Sequence, residues 1–160
     1  PADAEDREYF VETVLHEYFH YLSLNDTQVI YTSEQTLDTY NEPGMVTLAD
    51  SYLNNFYQEF WTGYLDDCLA CDDTYNFFLR HCDDFITPYA STDPSEDICE
   101  SFAFFVLRPR DFRADEDVWS RKLDFFYQYP KLVAFREEVR GNLGLAWGEY
   151  FESRQEADAA

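Results

Sequence analysis

His16-Glu17-Tyr18-Phe19-His20 uses two of the three histidines in a chain of 160 residues, four positions apart with a glutamate after the first. On a helix, side chains four apart lie one turn above each other, with Cβ atoms about 5–6 Å apart. That separation suits two imidazoles on one tetrahedral Zn²⁺, with Glu17 beside the ion instead of on it. The chemistry such a set serves is hydrolysis: the ion activates water and a carboxylate takes the proton. The competing reading is a helix with two incidental histidines, and context has to decide.

A catalytic zinc takes three protein ligands and leaves a fourth position open, so a third donor has to come from elsewhere. Three places offer one. Asp26 stands ten residues after His16, where a tight-turn metalloprotease would put its last ligand, but that pattern wants glycine three residues after His20 and Ser23 stands there. Glu96 and Glu100 lie one turn apart in a segment otherwise crowded with apolar residues, Ile98 to Leu107, where a buried carboxylate needs a partner. One of the two can hold the metal while the other accepts a hydrogen bond from a ligating histidine; the bland alternative is a solvated acidic edge. His81 has no supporting pattern.

Glu96-Asp97-Ile98-Cys99-Glu100-Ser101-Phe102, downstream of the histidine motif, resembles the E-x-x-x-E-x-F helix of the gluzincin metallopeptidases. Within that group it is most similar to the catalytic domain of the anthrax lethal-factor-like family and related bacterial zinc peptidases. The resemblance implies that Glu96 is the third zinc ligand and that Glu100 supports a ligand histidine. It also implies that Tyr89, seven residues before Glu96 in Thr87-Pro88-Tyr89, hydrogen-bonds the oxyanion. It covers the motif helix and the stretch from about Phe85 to Leu107. The chain departs from the family in its long acidic, cysteine-bearing segment between the two motifs and in the few residues ahead of the first helix. In that family a small sheet precedes this helix and its edge strand holds the substrate, so the resemblance implies a sheet in residues outside this chain.

The elements that must position these groups are mostly helical. Phe10, Val11, Val14, Leu15, Tyr18, Phe19 and Leu22 recur at three- and four-residue steps, which predicts an amphipathic helix from about Asp3 to Leu24. Asp26 to Pro43 reads as loop with one short strand, Gln28 to Thr32. Helical spacing returns over Val46 to Tyr64, breaks at Asp66 to Asp73, and resumes over Thr74 to Phe85. Asp93 as N-cap followed by Pro94 opens the helix that carries Glu96 and Glu100. Two or three helices follow from Asp115 to Phe151, interrupted at Pro130 and at Gly141 to Gly144. The expectation is a mainly α, zincin-like helical catalytic subdomain over residues 1–152, with at most a small β element and a polar tail over 153–160.

Composition narrows the partners. A formal charge of -22, from 33 acidic against 11 basic residues, disfavours nucleic acid and anionic lipid surfaces. Lys122 and Lys131 are the sole lysines, and such a surface also suits salty water. No apolar run approaches the length of a membrane span. The chain opens with Pro1-Ala2 instead of Met, which reads as a processed form or an excerpt from a longer protein. Cys68, Cys71 and Cys82 lie close enough for one local disulfide in a secreted or extracytoplasmic protein, while free thiols or a second zinc site with His81 are alternatives; these cysteines and Cys99 are read as structural. The functional expectation is a zinc peptidase acting on peptides or proteins. Its rivals are a catalytically silent zinc-bearing interaction domain and a metal-free helical module.

Overall fold

A computed structural model describes residues 3–35, 38–71, 73–110 and 117–145 of the chain. The described residues form seven α-helices, one 3-10 turn and three short strands. The mainly helical class with a small β element is therefore what the protein has. The expected tail over 153–160 and its boundary lie outside the described residues, as does Trp147.

Helix α1 runs from Asp3 to Ser23, within a residue of the expected span. Asn25 ends it: its side-chain amide donates to the carbonyls of Tyr21 and Leu22 at 3.1 and 2.9 Å, satisfying acceptors the last turn leaves open. The buried face is narrower than the apolar stripe suggested. Leu15, Phe19 and Ser23 are buried, whereas Phe10, Val14 and Tyr18 are exposed. This helix packs on one side only, so apolar residues flanking the seam stay in water.

Strands β1 (Val29–Tyr31), β2 (Asn41–Glu42) and β3 (Met45–Thr47) form an antiparallel sheet in the order β1-β3-β2. It follows α1 in the chain. Pro43-Gly44 makes the β2–β3 turn, where Gly44 takes a φ of 91° that glycine alone adopts at little cost. The helix expected over Val46 to Tyr64 is shorter than its spacing implied. Val46 and Thr47 belong to β3, and α2 covers only Tyr52–Phe60, with the Ser51 hydroxyl accepting the N–H of Asn54 at its start. Asn54 joins sheet to helix by accepting the Tyr40 N–H at 3.0 Å. The acidic break also holds a turn of helix, α3 (Leu65–Leu69), and α4 (Thr74–Arg80) stops short of the expected Phe85.

Helix α5 (Pro94–Leu107) is the axis of the molecule, packed against α1, α2, α6 (Val118–Phe125) and α7 (Pro130–Leu143). Every one of its residues is buried except Glu96 and Glu100. A helix buried on nearly all sides lies in the centre of a core, so the two partly exposed carboxylates mark where the centre opens to solvent. Phe102 of α5 stacks on Phe19 of α1 at 4.3 Å between ring centroids, and Phe126 of the 3-10 turn meets both rings edge-on. Pro130 opens α7 instead of interrupting it, and Gly144 caps it in the left-handed conformation. Arg136 and Arg140 of α7 donate to the carbonyls of Phe105, Val106, Leu107 and Arg108, which closes the C-terminal end of α5. Among the described residues no helix is long and apolar enough to cross a membrane.

Candidate metal centre

The site lies on the seam between α1 and the first turns of α5. Asp93 accepts the N–H groups of Ser95 and Glu96 at 2.8 and 3.0 Å, as its N-cap position predicts, and Pro94 occupies the first helical position. This start fixes the rotation of α5 about its own axis. Asp97 then points inward, to Lys122 and Trp61 Nε1, both at 2.7 Å. Glu96 and Glu100 face α1.

Three atoms converge there. His16 Nε2 stands 3.0 Å from His20 Nε2 and 3.0 Å from Glu96 Oε2, and His20 Nε2 stands 3.3 Å from the same oxygen. For bonds of about 2.0–2.1 Å at tetrahedral angles, ligand atoms are separated by roughly 3.3 Å. The triangle thus has the edges that one small divalent ion requires. Lone pairs so close repel one another unless positive charge sits among them, either protons or a metal. Burial pulls the His16 imidazolium down, but hydrogen bonds to Glu100 and Glu96 and their charges outweigh it and raise it to about 9. Hydrogen bonds from His16 and His20 hold the Glu96 carboxyl well below the usual carboxylate range.

Glu100 plays a different part from Glu96. Its Oε1 lies 2.8 Å from His16 Nδ1, on the far side of the ring from the triangle. A carboxylate there accepts a hydrogen bond from Nδ1–H and leaves the Nε2 lone pair facing Glu96 and His20. The two glutamates, left unsorted by spacing alone, thus meet opposite edges of the His16 ring.

Tyr89 sits over this group, its ring 5.8 Å from that of His16. Burial together with the negative charge of Glu96 pushes its hydroxyl up to about 12. Glu17 is exposed and shares with His16, Thr87 and Tyr89 the lining of a cleft of about 360 Å³. A larger groove of about 680 Å³ beside α7 contains none of these residues.

One donor was not anticipated. Cys99, fully buried on α5, brings its sulfur within 4.8 Å of the histidine nitrogens, so His16, His20 and Cys99 form a group that could hold a metal ion. The signal was present in the sequence, since a cysteine three residues after Glu96 shares its helix face. The remaining candidates fall elsewhere. Asp26 is exposed in the turn after α1, where the helix ends without doubling back. His81 caps the C-terminus of α4 and binds Asp67 and Asp84 at 3.2 and 3.6 Å. Cys68, Cys71, Cys82 and Cys99 are all free thiols, and no metal group forms around the first three among the described residues.

No protein-family model, curated protein or solved structure matches this chain.

Proposed function

We propose that the protein is a zinc peptidase of the gluzincin type, with His16, His20 and Glu96 as metal ligands. The observation that carries this reading is the triangle of donor atoms with edges of 3.0, 3.0 and 3.3 Å, built from two helices whose ligands are 76 and more residues apart. Two imidazoles and a carboxylate suit zinc and leave its fourth position to water. The resemblance of both motifs to gluzincin peptidases supports the same assignment.

Zinc held by these residues would supply Lewis acidity, which brings the pKa of a bound water from 15.7 towards roughly 7. The protein's own groups do the rest. Glu17 borders the cleft next to His16, accepts a proton from the attacking water and returns it to the leaving amine. Tyr89, which lines the same cleft, donates its hydroxyl to the substrate carbonyl as negative charge develops there. Glu100 keeps the His16 ring in the tautomer that presents Nε2. The substrate is a peptide or protein, and the acid-rich, lysine-poor surface suits salty surroundings.

A second reading rests on Cys99. Were its sulfur the fourth ligand, protein donors would fill all four positions, and a closed site of that kind is structural instead of catalytic. The protein would then be a metal-bearing interaction domain. Protein purified without an affinity tag is expected to contain about one zinc per chain by elemental analysis. Glu17→Gln should keep that zinc and lose peptide cleavage. Absence of zinc from the parent sinks both readings, and cleavage unaffected by Glu17→Gln removes this glutamate from the reaction.

A further inference from the structure

The cleft has a third participant besides its two helices: the turn from Thr87 to Ala90. The Thr87 hydroxyl donates to Glu100 Oε2 at 2.8 Å and accepts the N–H of Ala90 at 3.0 Å. A hydroxyl carries one proton and two lone pairs, so it makes both bonds at once. Its two partners lead to different halves of the site. Glu100 reaches His16 Nδ1 through its other oxygen at 2.8 Å. Ala90 follows Tyr89, so the N–H that Thr87 binds closes the turn that carries the tyrosine. Pro88 restricts Thr87 to extended backbone, which presents the threonine side chain to α5. The far side of the turn is fixed as well, because Ser91 Oγ donates to the Pro88 carbonyl and Thr92 Oγ1 to that of Tyr89, both at 2.7 Å.

We propose that Thr87 is a positioning residue that sets, with one hydroxyl, both the orientation of the His16 ring and the placement of Tyr89. The inference rests on the zinc peptidase reading and extends it to a residue that is neither a metal ligand nor the general base. Without this hydroxyl, Glu100 keeps its bond to His16 but loses the partner that fixes its carboxylate plane. The turn loses its closing bond at the same time. Metal affinity and turnover therefore respond together to one side chain that is not itself a metal ligand.

The test compares the parent with Thr87→Val, which keeps the shape and loses both bonds, and with Thr87→Ser, which keeps the hydroxyl. Zn²⁺ affinity is measured by competition with a chromophoric chelator, and kcat and KM on a peptide that the parent cleaves. Thr87→Val is expected to bind zinc about 10–100-fold more weakly, the usual cost of losing a partner behind a metal ligand. It should lower kcat with little change in KM, and Thr87→Ser should restore both. A Thr87→Val protein with parental zinc affinity and kcat overturns the proposal and leaves the metal site standing. A loss shared equally by Thr87→Ser overturns it too, since the hydroxyl would then not be the cause. A parent that takes up no zinc overturns the reading beneath it.

Discussion

Lys122 Nζ stands 2.7 Å from Asp97 Oδ2, with both side chains withdrawn from water. Burial pulls the lysine down and pushes the aspartate up, each opposed by its partner. The pair is fully satisfied: Lys122 also donates to the Asp84 carbonyl and lies over the Phe85 ring, and Asp97 also accepts from Trp61 and Ser101. Asp97 is the neighbour of Glu96, so this network holds the rotation of α5 that turns Glu96 towards α1. Lys122→Met strands a buried carboxylate and should cost about 3–5 kcal/mol of stability. Urea unfolding measures it, and a cost under about 1 kcal/mol would show that the pair is not what holds the helix.

The ligand set is expected to separate by substitution. His16→Ala, His20→Ala and Glu96→Gln should each weaken zinc by more than the roughly 10–100-fold typical of an outer partner. Cys99→Ser should leave affinity near the parent's. Cobalt gives an independent view, because a thiolate ligand produces a sulfur-to-cobalt charge-transfer band in the near ultraviolet. A parental protein showing that band, lost in Cys99→Ser, would install Cys99 as a ligand and favour the closed, non-catalytic site.

Tyr89→Phe removes a hydroxyl without altering the zinc donors. Zinc content should stay at the parental level while kcat falls by about 10²–10³, the scale seen when one oxyanion donor is lost. Cleavage at the parental rate would return Tyr89 to the ranks of the packing tyrosines.

Away from the site, Tyr64 offers a signed pH dependence. Its hydroxyl donates to Asp84 Oδ2 at 2.6 Å, and burial and that carboxylate push it up to about 12 from 10. The folded state holds this proton more tightly than the unfolded chain. The corresponding stability is complete below pH 10 and is lost as pH rises from 10 through about 12. The stability advantage of the parent over Tyr64→Phe should shrink across that window in urea unfolding. An advantage that stays constant from pH about 9 to about 12 would rule the linkage out.

The parts of this molecule that could be read from residues are those with local signals. Helix α1 follows from apolar periodicity, and the start of α5 follows from Asp93-Pro94, whose geometry is local chemistry. The hairpin was hidden because strands of two and three residues are too short to display a period. Apolar Leu48 also continued the spacing of α2 backwards through it. Residues His16 and His20 were legible because their spacing is itself the ligand geometry. That Glu96 and Glu100 share a face was legible in their one-turn spacing; which of them meets Nε2 of His16 and which Nδ1 was not, since spacing alone does not order them. Cys99 was signalled by its place three residues after Glu96 on the same helix face, whereas the role of Thr87 depends on its contact with α5, which no spacing records.

The donor triangle joins residues 76 to 80 positions apart across the α1–α5 seam, the same seam that Phe19 and Phe102 seal. An ion gripping both helices would act as a detachable rivet, closing a long loop whose closure entropy the unfolded chain retains. Chelation should then lower the melting temperature as well as silence the reaction, and loading with zinc should slow hydrogen exchange most in α1 and α5. Cohesion and chemistry in this protein would rise and fall together with the supply of a single trace element.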